Sequence, residues 1–410
     1  MPAAFTGPVQ IYRSTDIGAP FINTRAGSYV TLLDAVLVNG YNEKTVTATG
    51  VAGDTSTVTI TDTAHGRLNG EWITLSGASN ANLNGVFKIT FTGINTYTIK
   101  VSAAGGFAGS ASGLKAKKMP CGWKMGFTDT TTVGVQGETT KRSYISPNLK
   151  RYVEINDAGA STDNLIMTCN FAIYSTCTAY GVGTDKIALP GSLYKAYVYN
   201  NANGPVPVGN FEEACHWMII SNGRFVVFFN SYSARDRQAF ASNIFNVSFF
   251  GEFSSVSALD QYNFVMGIAQ DATYNGTSAC AAVSPDLSAK ANMHVLRTLD
   301  QALAQPSMQY LVDYQKCQMP NFPTTCLAYP DVETRGAVLQ RANLWEKDAL
   351  CKRGWLPGMW FPTQKTKTAL GANAVLTVSS GELEGKKFLL VPIGPTVESH
   401  IFIEISDTWE

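Results

Sequence analysis

Cysteine and histidine are the side chains of this sequence best suited to bind a metal ion, and the chain has eight of the first and four of the second. Four of them could supply zinc ligands: Cys169, Cys177, Cys215 and His216. Structural zinc sites usually contain a close Cys pair, and because no C-x-x-C occurs here, the spacing favours buried free thiols. A disulfide between Cys317 and Cys326, formed after release from a reducing cytoplasm, is left open. We expect no metal and no cofactor.

Nucleophilic and acid–base catalysis lack the spacing that they need. A nucleophile elbow requires G-x-S-x-G, but the nearest string, residues 109–113, has Ala111 at the nucleophile position, and we interpret it as a flexible linker. Neither a Walker A motif nor a strand-linked G-x-G-x-x-G occurs. The carboxylates of Glu212–Glu213 and of Glu382 and Glu384 could pair for glycoside hydrolysis, but such spacings arise by chance and are typical of solvated turns. We predict that the protein is not an enzyme.

Aromatic and methionine side chains mark two candidate contact surfaces, because the centres of protein interfaces are rich in them and poor in Lys and Glu. The surfaces are the segment 355–361 and the exposed face of a hairpin between residues 215 and 232. The candidate residues are Trp355, Met359, Trp360, Phe361, Trp217, Phe225 and Phe228. Pro and Gly interrupt the first segment, which favours a packed turn over a carbohydrate-stacking site. Both segments could instead be ordinary core.

The charge balance narrows the class of partner. Lys plus Arg and Asp plus Glu each total 31, so the net charge is zero and no global attraction to nucleic acid or to an anionic membrane is expected. Charged residues make up only 15% of the chain, against roughly 25% in an average soluble domain. A surface so poor in charge is prone to self-association, which favours an assembly component that occurs in symmetric copies. We expect neither a membrane span nor a secretion signal, since no long apolar run and no basic leader occur.

The chain length of 410 residues predicts two or three domains. Composition changes abruptly after Lys44, where Thr, Val, Gly and Ser take over. Five alternating runs separated by turn residues predict a small β-barrel or sandwich over residues 45–116, inserted into a body made of residues 1–44 and 117–410, with a subdivision near 280–330 left open. The runs are Thr45–Thr49, Ser56–Thr61, Glu71–Leu75, Gly85–Phe91 and Thr96–Val101. We interpret the isolated His65 as a hydrogen-bonding turn residue.

The predicted fold class is α+β, mainly antiparallel β: a β-rich body with few helices plus an inserted small all-β barrel. Residues 28–40 have apolar side chains at helical spacing, with Ser28 as the cap and Gly40 as a left-handed end. Six central runs predict one antiparallel sheet, and Asn222-Gly223 predicts a type I′ hairpin turn. The pattern turns helical from Ser284 to Gln315. Two runs near the end read as strands: Lys387–Pro392 and His400–Ser406.

Several strings together resemble a family of uncharacterised tailed-bacteriophage virion structural proteins. They are Ile11–Pro20, Leu32–Tyr41, Gly122–Trp123, Trp355–Trp360 and Phe402–Trp409. Residues 59–70, 82–90 and 96–99 are similar to a small β-barrel repeat that is often inserted in phage structural proteins and is named after a domain of ubiquitin-activating enzymes. No adenylation site accompanies it, so no ubiquitin chemistry is implied. In family members without the insert, Asn-Gly-Tyr runs almost directly into Gly-Trp, in agreement with the composition break.

The resemblance implies a structural component of a tailed-phage virion, associated with the tail, neck or baseplate. Its location would be the virion, after synthesis in the bacterial host cytoplasm. Its partners would be other virion proteins and copies of itself, with no nucleic acid and no membrane. The alternative is a tail or head-decoration protein that binds a host-surface receptor or glycan. A capsule-degrading enzyme is a third and more distant interpretation.

Overall fold

The computed structural model describes residues 7–22, 26–102, 105–134, 137–160, 166–188, 193–197, 216–231, 245–257, 260, 263–269, 292–295, 339–345, 352–362, 370, 374–392, 400–406 and 408–409. All strand pairings in these ranges are antiparallel. The described part is mainly β, with a single α-helix, which confirms the predicted fold class.

The chain begins with strand β1 (Gln10–Arg13) and helix α1 (Ser28–Leu33), which continues as a π-helix (Asp34–Asn39). The predicted helix is therefore confirmed, but both of its ends differ from the prediction. Gly27, at φ 86°, precedes the first turn in place of a Ser28 cap, and Gly40 has φ 74° with an extended ψ of 172°. The Gly40 N–H bonds the carbonyl of Ala35, five residues back, so π-helical winding changes the exit of the chain. None of the helices in the described ranges is long and apolar enough to cross a bilayer.

The segment between Lys44 and Lys118 forms a seven-stranded sheet of its own, in the order β5-β4-β8-β2-β3-β7-β6, that curls into a nearly closed barrel. Its strands are β2 (Lys44–Val51), β3 (Asp54–Thr61), β4 (Trp72–Ser76), β5 (Gly85–Lys88), β6 (Thr90–Gly93), β7 (Thr96–Lys100) and β8 (Gly109–Lys118), with a 3-10 turn at Ala81–Leu83. The flexible-linker interpretation of residues 109–113 is wrong. They begin β8, where pairing with β2 orders a Gly- and Ser-rich sequence of low intrinsic strand propensity.

A second sheet follows the barrel, in the order β15-β12-β11-β10-β9, with β16 also paired to β12. Its strands are β9 (Lys124–Val133), β10 (Thr139–Ile145), β11 (Tyr152–Ala160), β12 (Ile166–Tyr174), β15 (Ile187–Ala188) and β16 (Leu193–Tyr197). A separate hairpin is formed by β13 (Thr176–Ala179) and β14 (Val182–Thr184).

The third sheet has the order β1-β17-β18-β19-β21-β22. Its further strands are β17 (Trp217–Ser221), β18 (Phe225–Ser231), β19 (Phe245–Glu252), β21 (Phe264–Ala269) and β22 (Asn292–Val295). The predicted hairpin is confirmed, but the predicted type I′ turn is wrong. That turn requires a positive φ at both Asn222 and Gly223, and of these two residues only Gly223 has one. Asn222 instead accepts the N–H groups of Arg224 and Phe225 through its side chain, at 3.1 and 2.9 Å. Strand β22 also contradicts the helical prediction at residues 292–295; the other residues of that helical run lie outside the described part.

The fourth sheet has the order β20-β24-β27-β26-β25, with β23 also paired to β24. Its strands are β20 (Ser254–Ser255), β23 (Leu339–Trp345), β24 (Lys352–Pro362), β25 (Val375–Thr377), β26 (Lys387–Pro392) and β27 (His400–Glu404). The two predicted terminal strands are confirmed. The turn predicted at residues 355–360 is wrong: it is a bulge within β24, where the register against β23 shifts between Trp355 and Trp360.

The three larger sheets of the body are layered, with the third in the middle. One face of its hairpin packs with α1 and the second sheet, and the other packs against the fourth sheet. The prediction of one central sheet is therefore wrong. All five residues of β17 are buried, and a sheet that is apolar on both faces must be covered on both.

Candidate functional site

Five of the seven predicted contact residues lie inside the body. Trp217, Phe225 and Phe228 have no exposed surface, and Met359 and Trp360 are 1% and 8% exposed. Phe228 and Trp217 pack toward the second sheet, whereas Phe225 and Met359 pack toward the fourth. The chain's own layers account for this burial, so the ordinary-core interpretation fits these side chains. Phe361 belongs to β24, but its side chain lies outside the described part.

Trp355, the half-buried member of the group, does not offer a free ring face for a sugar. The guanidinium carbon of Arg341 lies 4.9 Å from the Trp355 ring centroid and 5.0 Å from that of Trp360. The Lys352 ammonium lies 5.4 Å from the Trp355 ring as well. Cation–π contacts with the chain's own side chains therefore occupy these aromatic surfaces.

The described cysteines behave as core residues. Cys121, Cys169 and Cys177 are buried thiols outside any disulfide, and Cys169 and Cys177 belong to different apolar clusters, on opposite faces of the second sheet. Burial raises the pKa of the Cys121 thiol to about 11 and that of Cys177 to about 12, so both are protonated at neutral pH. Within the described ranges no group of three or more His, Cys, Asp or Glu side chains could hold a metal. Cys215, Cys317 and Cys326 lie outside those ranges.

The isolated polar residues have structural roles. The His65 ring accepts the Arg67 N–H at 2.9 Å through Nδ1 and contacts the Gly93 carbonyl at 2.8 Å through Nε2, so it joins two barrel turns, as the turn interpretation predicts. Glu382 and Glu384 are exposed in the turn before β26. The pair Glu212–Glu213 lies outside the described residues.

A cluster of charged side chains joins the barrel to the body. The Lys118 ammonium, at the end of β8, binds the Asp16 carboxylate of the body at 2.5 Å and lies 3.7 Å from Glu71 of the barrel. Arg67 lies 3.8 Å from Glu71 and pairs with Asp62 at 3.0 Å, and neither the Arg67 nor the Asp62 side chain is exposed. The barrel and the body therefore share one ionic network.

Two tyrosines of the body cover this network. The Tyr41 hydroxyl donates to Asp16 at 2.6 Å, and the Lys118 ammonium lies 5.4 Å and 5.7 Å from the ring centroids of Tyr12 and Tyr41. Burial raises the pKa of both tyrosines well above the usual value, so both hydroxyls remain protonated donors. The Tyr12 hydroxyl also donates to the carbonyl of Met119, the residue after β8, at 2.8 Å. The chain that leaves the barrel is therefore held to the body through the Lys118 side chain and the Met119 backbone.

An open cleft of about 450 Å³ lies beside the network, and this junction cleft is our candidate functional site. It is bounded by β1, by the start of β4 with the loop before it, by the end of β5, by the start of β26 and by the residues that follow β27. The charged and aromatic side chains that line the cleft are Arg13, Glu71, Trp72, Lys88, Lys118 and Lys387. Its volume is typical of small-molecule sites, which range from roughly 300 to 1,000 Å³.

Sequence reasoning missed this cleft because its residues come from separate segments that only the fold brings together. One local signal was present. In β4 the buried residues are Ile73 and Leu75, which places Trp72 on the outer face of the barrel. A large aromatic side chain on the polar face of a strand is the kind of exception that marks a binding surface.

Comparison with known proteins gives little similarity. No protein-family profile matches the chain, and no curated protein is similar to it. Among solved structures, the phage phi92 endosialidase aligns with 55% of this chain at 10% sequence identity and a TM-score of 0.15. The aligned part spans only 34% of the endosialidase chain. A TM-score this low is a weak likeness to one phage protein and supports no inference about activity.

Proposed function

We propose that this protein is a structural component of a tailed-bacteriophage virion, associated with the tail, neck or baseplate. The observation that carries the proposal is where the family-like strings lie. Tyr12, Leu33 and Trp123 belong to the cluster between the second and third sheets, and Trp360 and Phe402 pack together on the fourth sheet. The sequences that resemble the phage family therefore form the apolar cores of the body, as expected if family members share the fold of this body.

Composition supports the same function. The chain has no net charge and few charged residues, so the isolated protein is expected to be poorly soluble. Such a composition suits a protein whose surface is covered by neighbouring subunits. The barrel is held to the body by a buried ionic network, so the two parts form a scaffold suited to repeated assembly.

Quantitative mass spectrometry of purified particles of the phage that encodes the chain tests this proposal. We expect the chain in a fixed number of copies, in proportion to a symmetric ring, and we expect light scattering on the isolated protein to show self-association. A soluble monomer that is multicopy in the particle would show that a partner is needed for assembly. A strict monomer that is also absent from the particle would overturn the proposal.

A further inference from the structure

Positive charge exceeds negative charge among the side chains that line the junction cleft. The described lining includes four cationic groups and one carboxylate: Arg13, Lys88, Lys118, Lys387 and Glu71. Lys118 is matched inside the protein, because its ammonium binds Asp16 and lies beside Glu71. Arg13 and Lys387 approach the cleft from two separate strands, β1 and β26. Like charges that converge on a cleft raise its potential, and a bound anion would lower it.

The cleft also has an aromatic wall. Trp72 is half-buried and lies opposite Lys88 across the β4–β5 pair. The exposed Lys88 ammonium is 5.9 Å from the Trp72 ring centroid, at the outer limit of a cation–π contact, so a ligand ring can displace it. Asn69 and Ser406 add neutral polar groups to the lining. An indole beside amide and hydroxyl groups fits a ligand that has both apolar ring faces and hydroxyls, whereas a bare inorganic ion would use only the charges.

From these features we infer that the junction cleft binds a small carboxylated saccharide of one or two rings. Arg13 and Lys387 hold the carboxylate, Trp72 packs against a ring face, and the neutral polar groups bind hydroxyls. The inference goes beyond the proposed function, since a structural role needs no ligand. It also assigns the ligand to the boundary between barrel and body rather than to the tryptophans of β24, whose rings contact Arg341.

Calorimetric titration of the full-length protein with digalacturonic acid tests the inference. We expect binding that weakens as salt is raised and that is lost when the methyl ester of the same disaccharide replaces the acid. The double variant Arg13→Gln, Lys387→Gln should weaken binding by about tenfold or more, because it removes two charge-assisted contacts. Trp72→Leu should weaken it several-fold at unchanged salt dependence.

A matched control removes one positive charge elsewhere on the barrel. Lys100 is exposed on β7 and does not line the cleft, so Lys100→Gln should bind digalacturonic acid as the unmodified protein does. Unfolding midpoints of all variants establish that each is folded. Lys118 is left unchanged, because its loss would disturb the ionic network that joins barrel to body.

Four outcomes would overturn the inference. They are no binding of digalacturonic acid at millimolar concentration, equal binding of the methyl ester, equal competition by inorganic phosphate, and tighter binding of hexaglutamate. The third would make the cleft a plain anion site, and the fourth would make it a site for an acidic peptide. Because the titration uses the isolated protein, its result is independent of whether the chain is found in the particle.

Discussion

Arg67 and Asp62 form an ion pair with no exposed side-chain surface, and Arg67 also donates to the carbonyls of Asn42 and Ala116 at 3.0 Å each. Replacing Arg67 with Met would leave the Asp62 charge buried without its main partner. We expect a loss of about 3–5 kcal/mol in the free energy of unfolding, measured by urea denaturation.

The partly exposed pair between Lys141 and Asp129 provides the control for Arg67→Met. Its side chains are 18% and 22% exposed, so Lys141→Met should cost at most about 1 kcal/mol. The double change Asp62→Asn, Arg67→Met should recover part of the loss, because it removes the unpaired charge. Equal losses for Arg67→Met and Lys141→Met would contradict the role given to Arg67.

Because the Cys121 thiol is buried, we predict that the folded protein loses stability at alkaline pH. Its folded pKa is raised to about 11 by burial, so between pH 9 and 11 the unfolded chain ionises this thiol while the folded chain does not. The stabilisation is fully present below pH 9 and is lost as the pH rises through that window, by roughly 3 kcal/mol. The midpoint temperature of thermal unfolding should therefore fall less steeply between pH 9 and 11 for Cys121→Ala than for the unmodified protein. Parallel curves for the two proteins would show that Cys121 does not contribute.

At the scale of single residues, the sequence predicted types of environment better than partners. The turn role of His65 and the exposed position of Glu382 and Glu384 follow from their neighbours in the chain. The Lys118–Asp16 pair could not be predicted, because 102 residues separate its members and only the closure of the barrel brings them together.

Gly358, in the bulge of β24, has φ 69°, and a Cβ there would overlap the Trp409 ring. Gly358→Ala therefore combines backbone strain with a steric clash against a fully buried indole. Gly381→Ala is the matched control, since Gly381 has φ 87° with open space around it. The control should cost about 1 kcal/mol, and Gly358→Ala should cost a further 1–3 kcal/mol in thermal unfolding. Equal costs would mean that the bulge does not pack on Trp409 as described.

The barrel segment is predicted to be dispensable for folding of the body. Lys44 and Ala116 are direct partners across β2 and β8, so the chain enters and leaves the barrel at neighbouring points. The two larger apolar clusters of the body contain no side chain from this segment. Joining Lys44 to Lys117 through a short Gly/Ser linker should leave a cooperative thermal transition, because closure of a loop depends only weakly on its length. Loss of that transition would show that the barrel is part of the main core.

At the scale of elements, the alternation of apolar and polar residues predicted the barrel strands well, because each strand has one buried and one solvated face. In the body the same reasoning failed to separate the second sheet from the third. The hairpin of β17 and β18 is buried on both sides, and periodicity carries no information about which layer a doubly buried strand joins. The sequence predicts a turn at the bulge of β24 because proline and glycine, here Pro357 and Gly358, are common in both turns and bulges.

The described part of the molecule combines a layered β body with a barrel that is joined to it by the ionic network of Asp16, Lys118 and Glu71. Charge-poor composition predicts a protein that assembles, and the structure buries five of the seven side chains predicted at contact surfaces. We therefore expect copies to contact one another through other parts of the surface.

A reconstruction of the particle of the phage that encodes this chain tests the central claim most directly. We predict density for several symmetry-related copies, each with the layered body and with the barrel held at one angle to it, since the network of Asp16, Lys118 and Glu71 fixes that junction. A particle that contains no density into which the body fits would contradict the proposed function.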